Sequence, residues 1–524
     1  ITIPLPEKAS ASLDWQADLP RKAQLTATLH GSNVSYRAVP IESAALKVSL
    51  SNEVLHLTDF SVVRPEGRAQ LEYQLHTRTR EFNWNVNGSL NAKEIGPAIS
   101  RDAPQLLSMF DFSQPTKVVG KVWGCWKPPE RIECALAVAA TNFSFRGEPV
   151  DHFDAFVCSS NKILSASNVN IQTGNEWIKA PTVNLDFEIP RVCLSNAQCC
   201  IDPLKVARAI GSNVVSALEP YRFGNPPLAK VSGVIAFPEH RARPDIVFDV
   251  AGGPFHFWRL NASEVAGVVH WQEDRLLITN LAASLYQGRL TGNVRAEFYQ
   301  TNDTMIQFSS RLVNADLRLL ARDLLEHPAN IEGTVSANFN VVNGHASDVR
   351  TWSGYGDVEM RDGSLWDLPV FGVLSPILNA VVPGLGNSKA RSANATFTLD
   401  NSILRTSNLA IDAGPARLRY HGMTDLDGRV DARAEAEILA STPLVGPFIS
   451  LALTPLSKVF IFQVNGTLAK PELQPVYVPR VFMLLLRPFH TLRSLFPGGT
   501  ESAPQQNTRP EQNNRENNAA PIQR

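Results

Sequence analysis

Long apolar runs are missing from this 524-residue sequence, which has no uninterrupted apolar stretch of about 18 residues. We therefore expect no transmembrane helix within it. A content of 44% hydrophobic and 19% charged residues also argues against a polytopic membrane protein. The net charge is only −1, so the chain has no global field that would attract nucleic acid or an anionic membrane.

Cysteine is scarce and clustered. All six cysteines lie between Cys125 and Cys200, and none forms a Cys-x-x-Cys pair, so the spacing is wrong for a zinc site. Two interpretations stay open. The cysteines are small hydrophobic residues on strands, or one or two disulfides form in an oxidising compartment. In the second case Cys193 is expected to pair with Cys199 or Cys200 across a short turn.

Catalytic motifs are also lacking. There is no Gly-x-Ser-x-Gly nucleophile elbow, and residues 384–389 do not have the spacing of a phosphate-binding loop. The densest polar groups are Asp151 with His152 and Asp154, and His240 with Asp245. A histidine beside an aspartate in a loop is more often a solvated turn than a catalytic or metal site. The sequence thus predicts a protein that is not an enzyme and that uses no metal or cofactor.

What the sequence has in abundance is period-two alternation, which is typical of strands with one apolar and one polar face. The clearest case is residues 430–438, where Val and Ala alternate with Asp, Arg and Glu. Similar alternation begins after Gly67, Gly174 and Gly288. The many Gly (31) and Pro (36) residues are expected of frequent turns.

A ten-residue pattern occurs four times, starting at residues 51, 160, 272 and 400. Each copy has a polar turn, a leucine at the fifth place, Ser or Thr at the eighth and Asp or Asn at the ninth. The leucines are Leu55, Leu164, Leu276 and Leu404. Such recurrence indicates a repeat architecture of antiparallel strands joined by tight turns.

Short helices are expected between the repeats, at residues 91–112, 202–218 and 315–325, where apolar residues have helical spacing. A glycine-containing strand follows each of them, around Gly120, Gly233 and Gly333. The fourth repeat differs, because an apolar segment at 368–385 splits it and a second apolar segment follows at 443–456. The polar, Gln- and Asn-rich residues 498–524 are expected to be disordered.

Residues 353–478 resemble the C-terminal region of the AsmA-like proteins of the bacterial envelope. The resemblance rests on the order of several short pieces over more than a hundred residues: Gly354-Tyr355-Gly356 before an alternating strand, Asp362-Gly363-Ser364-Leu365, an apolar helix, Asp425-Leu426-Asp427-Gly428, and Val464-Asn465-Gly466-Thr467-Leu468 before Pro471. It implies a curved, elongated sheet with an apolar groove, a periplasmic location with an N-terminal inner-membrane anchor outside this chain, and a role in moving lipid between membranes.

The fold class we expect is mainly β: an elongated, curved antiparallel sheet built from about four repeats that form an apolar groove, with short interposed helices. The expected divisions are repeats at 1–112, 113–227 and 228–342, the AsmA-like region at 343–478, an amphipathic segment at 479–497 and the tail at 498–524.

An apolar strand face either packs into a closed core or lines a groove, and periodicity does not distinguish these. Because helices are few, we favour a groove that holds phospholipid acyl chains.

The residues expected to line this groove lie on the alternating strands: Leu71, Tyr73, Val183, Leu185, Phe187, Leu290, Val294, Phe298, Val430, Ala434 and Ile438. A membrane contact is expected at Arg480, Phe482, Leu485, Arg487 and Phe489, where arginines are spaced through an apolar run. The expected partners are phospholipid and the inner and possibly the outer membrane, with no nucleic acid.

Two other functions remain open at this point. The protein is an assembly factor for outer-membrane proteins that pairs strand edges with its clients, or a surface β-solenoid that binds polysaccharide.

Overall fold

Antiparallel pairing between successive strands builds almost the whole molecule. The computed structural model describes residues 9–14, 24–100, 103–126, 132–160, 162–186, 188–189, 191–210, 212–236, 244–298, 304–324, 331–364, 369–376, 379, 389–414, 416–438 and 459–478. These residues form one sheet of 29 strands. Within the described chain the first strand pairs only with the second and the last only with the one before it, so the sheet is long and open.

The strands of the N-terminal half are β1 (Ala9–Asp14), β2 (Gln24–Tyr36), β3 (Val39–Ser51), β4 (Val54–Arg64), β5 (Gly67–His76), β6 (Glu81–Leu90), β7 (Phe110–Phe112), β8 (Thr116–Cys125), β9 (Glu133–Phe145), β10 (Glu148–Ser160), β11 (Ile163–Thr173), β12 (Glu176–Asp186), β13 (Arg191–Cys200) and β14 (Tyr221–Phe223). Those of the C-terminal half are β15 (Leu228–Ala236), β16 (Asp245–Gly252), β17 (Phe255–Phe257), β18 (Leu260–Gln272), β19 (Arg275–Leu285), β20 (Gly288–Phe298), β21 (Thr304–Asp316), β22 (Thr334–His345), β23 (Asp348–Gly363), β24 (Ala390–Asp400), β25 (Ile403–Asp412), β26 (Ala416–Asp425), β27 (Val430–Ile438), β28 (Val459–Gly466) and β29 (Pro471–Tyr477).

The described helices follow strands that end at the same long edge of the sheet, which we call the helix edge, and in two places a second helix follows the first. The helices are α1 (Ala92–Ile99), α2 (Ala103–Leu107), α3 (Pro203–Ile210), α4 (Ser212–Leu218), α5 (Leu317–Leu324) and α6 (Pro369–Gly372). The opposite edge, which has no described helix and includes the tight turn between β18 and β19, is called the turn edge.

Six-strand units repeat along the sheet. They comprise β1–β6, β8–β13, the six main strands from β15 to β21, and β22–β27, while β7, β14 and β17 are three-residue strands added at the helix edge. Helices follow the sixth strand of each of the first three units, and α6 lies within the fourth. The expected divisions at 113 and 228 fall near the starts of the second and third units, whereas the one at 343 falls inside β22.

The repeated Asp or Asn is the site of a β-bulge on the fourth strand of each unit. Asp59, Asn168 and Asn280 adopt left-handed φ values of 51°, 52° and 54°. The fourth copy has a register shift between Thr406 and Leu409. A bulge inserts one unpaired residue and increases the local bend and twist. Because Asn and Asp tolerate left-handed backbone better than most residues, the bulge explains why the ninth place of the repeat is restricted to them.

Strand register sorts the side chains onto an apolar face and a polar face. The repeated leucines lie on the apolar face, where most of their direct cross-strand partners are apolar as well: Leu55 faces Leu50 and Leu75, and Leu164 faces Leu185 on one side and Ser159 on the other. The alternating residues of β27 divide as expected, since Val430, Ala434 and Ile438 are buried and Asp431 is exposed.

Two sequence-based expectations are wrong, and a third, the pairing of His240 with Asp245, is not tested. Residues 110–112, expected within a helix, form β7, which pairs with β9. Cys193, Cys199 and Cys200 are thiols on one extended strand, β13, so no turn brings Cys193 to the other two. Asp245 contacts His270, with 2.7 Å between His270 Nε2 and Asp245 Oδ1; the expected partner, His240, lies outside the described residues.

Candidate functional site

The candidate site is the part of the apolar face that no helix covers. Among the residues expected to line a groove, Leu71, Val183, Leu185, Leu290 and Val294 all lie on this face and are half-buried. Half-burial of Leu71, Val183, Leu185 and Val294 indicates that no second layer closes over them, whereas Leu290 packs against the buried cluster beside α5. Phe298 lies at the turn edge of the same face and is 42% exposed.

An aromatic cluster anchors the apolar face in the first unit. The ring centroids of Tyr73 and Trp84 are 4.3 Å apart, and Trp126 stacks on Phe82 at 4.7 Å. Trp126 Nε1 donates a hydrogen bond of 2.8 Å to the Tyr73 hydroxyl. Burial raises the pKa of Tyr73, so this hydroxyl stays protonated at neutral pH. Trp126 thus folds from the turn edge back onto the apolar face.

Exposed apolar residues continue along the turn edge through the second and third units. They share a position at the end of a strand on the apolar face and are 37% to 48% exposed: Trp126, Ile132, Ile235, Trp271 and Phe298. Soluble proteins usually place polar residues at strand ends and tight turns. The apolar face therefore reaches the turn edge without a polar border.

The helices cover only the strip of the apolar face beside the helix edge. In the third unit Leu317, Leu319 and Leu320 of α5 pack against a buried apolar-face cluster that includes Leu285, and Leu290 packs against the same cluster. The helix follows β21 yet reaches back to β18, because Asn261 Nδ2 donates to Asp323 Oδ2 at 2.8 Å.

The second unit has the same arrangement. Helix α3 follows β13 and reaches back to β10, where Arg208 Nε lies 2.5 Å from Glu148 Oε1. A further contact of 2.7 Å joins Lys205 Nζ to Glu176 Oε2 on β12. Equivalent helices thus cross equivalent strands, and both leave the turn-edge half of the apolar face uncovered.

The apolar face closes in the C-terminal region. Val430, Ala434 and Ile438 are only 8%, 1% and 4% exposed and belong to a large buried cluster with Phe460, Phe462 and Leu374. Burial in this cluster raises the pKa of Tyr420. The structure therefore places these three expected lining residues in a closed core. Tyr73 is also buried, at 8% exposure, whereas Leu71, Val183, Leu185 and Val294 are half-buried and Phe298 is exposed.

Six of the expected site residues lie outside the described part of the chain: Phe187, Arg480, Phe482, Leu485, Arg487 and Phe489. Among described residues, no helix is long and apolar enough to cross a bilayer.

The polar face contains two furrows that the sequence reasoning missed. The first has a volume of about 660 Å³ and is lined by Arg289, Arg311, Asn338 and Asp357, among others. The second, of about 570 Å³, is lined by residues of β24 to β28 that include Arg405 and Asp431. Their signal in the sequence is the run of Asn, Ser, Thr and Arg on the polar positions of β20–β25.

The His–Asp pairs noted in the sequence are surface contacts on the polar face. His152 Nε2 lies 2.8 Å from Asp154 Oδ1, and the same carboxylate oxygen accepts a 3.0 Å hydrogen bond from Asn170 Nδ2. Asp151 instead accepts from the Gly174 amide. These carboxylates thus serve cross-strand contacts.

Comparison of the chain with protein-family models, curated proteins and solved structures finds no match in any of the three.

Proposed function

We propose that the open part of the apolar face binds phospholipid acyl chains and that the protein carries lipid between the membranes of the bacterial envelope. One observation supports this most directly: the sheet face that a buried cluster closes in the C-terminal region has half-buried large side chains, such as Leu71, Leu185 and Val294, in each of the first three units. A chain that closes this face in one region and leaves part of it uncovered in three other units has apolar surface available for a ligand.

The energetics favour an acyl chain as that ligand. Each methylene group moved from water to an apolar surface contributes about 0.8 kcal/mol when fully buried. No bond is made or broken, so binding and transfer need only partition and diffusion. The resemblance to AsmA-like proteins supports the periplasmic setting and an inner-membrane anchor outside this chain.

The assembly-factor alternative has less support. It requires a free strand edge as a template. Of the two ends of the described sheet only the six-residue β1 offers one, because β29 carries Pro471 and Pro475, which have no N–H to donate to an added strand.

The proposal is tested by placing a charge on either face of one strand. Leu185 lies on the apolar face of β12, and its neighbour Asn184 lies on the polar face. We expect Leu185→Glu to reduce the phospholipid that co-purifies with the chain at least tenfold, because a carboxylate against an acyl chain loses its hydration without gaining a partner. Native mass spectrometry of the purified protein measures this occupancy.

Asn184→Glu is the matched control and should retain the lipid. Circular dichroism must show the same β-signal for both variants, which the half-exposed position of Leu185 allows. Equal lipid occupancy in the two folded variants, or no lipid on the unchanged protein, contradicts the proposal.

A further inference from the structure

The polar face offers a second site, independent of the lipid proposal because the sheet itself separates the two faces. Strand register aligns its polar side chains in two rows. One row contains Thr291, Arg311, Asn338, Asp357 and Thr396 as successive direct partners. The other contains Asn293, Ser309, Asn340, Tyr355, Thr398 and Arg405. Hydroxyl, amide and guanidinium groups thus recur at each strand spacing of about 4.8 Å.

The two furrows lie along these rows and meet at one exposed aromatic ring. Asn340 and Asp357 line the first furrow, and Thr396 and Thr398 line the second. Tyr355 is the direct partner of both Asn340 and Thr398, and it is 55% exposed. An exposed tyrosine between two polar furrows presents a flat apolar ring next to many hydrogen-bonding groups.

The furrows have a surplus of positive charge. Within the described chain, Arg289, Arg311 and Arg405 make no ion pair, although most other arginines of the sheet do. The two carboxylates present are already engaged: Asn338 Nδ2 donates to Asp357 at 2.9 Å, and Gln463 Nε2 donates to Asp431 at 2.6 Å. Arg289 and Arg311 lie diagonally on neighbouring strands, since Thr291 is the direct partner of Arg311.

We propose that this face binds an extended acidic oligosaccharide along the furrows from β19 to β28. Uronate carboxylates would pair with Arg289, Arg311 and Arg405 in the bidentate geometry that guanidinium favours. Sugar hydroxyls match the amide and hydroxyl rows, and one sugar ring stacks on Tyr355. The two furrows together span ten strands, from β19 to β28, or about 43 Å.

Nucleic acid fits this site less well. Its affinity comes from many phosphate contacts, whereas each furrow has only about one positive charge in excess. The whole chain has a net charge of −1, which adds no attraction.

Isothermal titration calorimetry with a hexamer of galacturonate tests the proposal on the full chain. We expect binding to the unchanged protein, and a loss of at least about tenfold in affinity for Arg289→Gln/Arg311→Gln, because each removed guanidinium takes away a charge-assisted hydrogen bond. Tyr355→Ala should also weaken binding.

The matched control is Arg68→Gln/Lys121→Gln, which removes the same charge from exposed polar-face positions outside the furrows. It should leave the affinity unchanged. Equal losses in the two double variants, absence of hexamer binding, or equal binding of a neutral hexamer of N-acetylglucosamine or of inorganic phosphate overturns the proposal. Tighter binding of single-stranded DNA with the same dependence on Arg289 and Arg311 also overturns it.

The result is separable from the lipid proposal. Arg289→Gln/Arg311→Gln should keep its co-purified phospholipid, because both arginines lie on the face opposite the acyl chains. Failure of the Leu185→Glu test would leave the oligosaccharide site standing, and the reverse holds too.

Discussion

Single residues decide how closely the strands of this sheet approach each other. Gly120 and Gly233 occupy equivalent places in the first strands of the second and third units and have φ values of 153° and 137°. A Cβ atom at Gly120 would lie 2.0 Å from the Ala135 carbonyl oxygen, and one at Gly233 would lie 2.1 Å from that of Asp245. The glycine that follows each predicted helix thus allows a close approach of two backbones.

This close approach predicts that Gly120→Ala strongly destabilises the folded chain. The substitution adds both an unfavourable φ and a clash with backbone, and we expect it to lower the free energy of unfolding by about 3 kcal/mol. Gly147→Ala is the control, because Gly147 has a φ of 86° but nothing within 4 Å of its would-be Cβ. Gly147→Ala should lower the free energy of unfolding by only about 1 kcal/mol. Urea unfolding followed by circular dichroism measures the free energy of unfolding of both variants. Equal losses in the two would show that the clash at Gly120 is relieved without strain.

Tyr420 gives the C-terminal core a pH dependence. Burial raises the pKa of its hydroxyl above the ordinary value of 10.0. The folded chain therefore holds a proton that the unfolded chain releases, so stability is fully present below pH 10.0 and falls as the pH rises above it. We expect Tyr420→Phe to reduce the loss of stability at alkaline pH. At neutral pH it should lower the free energy of unfolding by about 1 kcal/mol. Thermal melting between neutral and strongly alkaline pH checks it, and identical profiles would contradict the assignment.

At the scale of elements, alternation proved more informative than helical spacing. The alternating β27 could be predicted from period two alone, because a period of two residues is unambiguous over nine residues. The four leucine-containing strands could be predicted from the recurring ten-residue pattern. The segment Phe110-Asp111-Phe112 is too short to show a period, and the apolar residues before it have helical spacing. Its pairing with β9 is a long-range contact that local sequence does not encode.

The apolar stripe of α5 was also predictable, but what it covers was not. We expect Leu319→Ala/Leu320→Ala to detach α5 from the sheet. The double substitution should lower the free energy of unfolding by about 2 kcal/mol, since both side chains are half-buried. Hydrogen exchange should then increase at the helix-edge ends of β18, β19 and β20 and stay unchanged in β8–β13, because each unit contacts mainly its neighbours.

Arg318→Ala provides the comparison on the exposed side of α5. It should leave the exchange of β18–β20 as it is. Faster exchange throughout the sheet in the leucine variant would mean that the units unfold together.

For the whole molecule, the sequence predicted a long, mainly β, antiparallel repeat with few short helices, and the structure confirms that fold class. It did not separate open from closed parts of the apolar face: Val294 and Ala434 alternate alike, yet one is half-buried and the other 1% exposed. The difference arises from packing of distant segments such as Leu374. Nor could alternation reveal the furrows, because it does not say which polar residues become neighbours across strands.

The six-strand unit also sets a length scale. Six strands at about 4.8 Å extend the sheet by about 29 Å, close to the thickness of a bilayer's hydrocarbon core of about 30 Å. Since each described unit-end helix contacts strands of its own unit, a unit could be added or removed by joining the sixth strand of one unit to the first of another. The reach of such a molecule would then change in fixed steps, so a chain with one unit more would bridge a gap about 29 Å wider without any change to its cross-section.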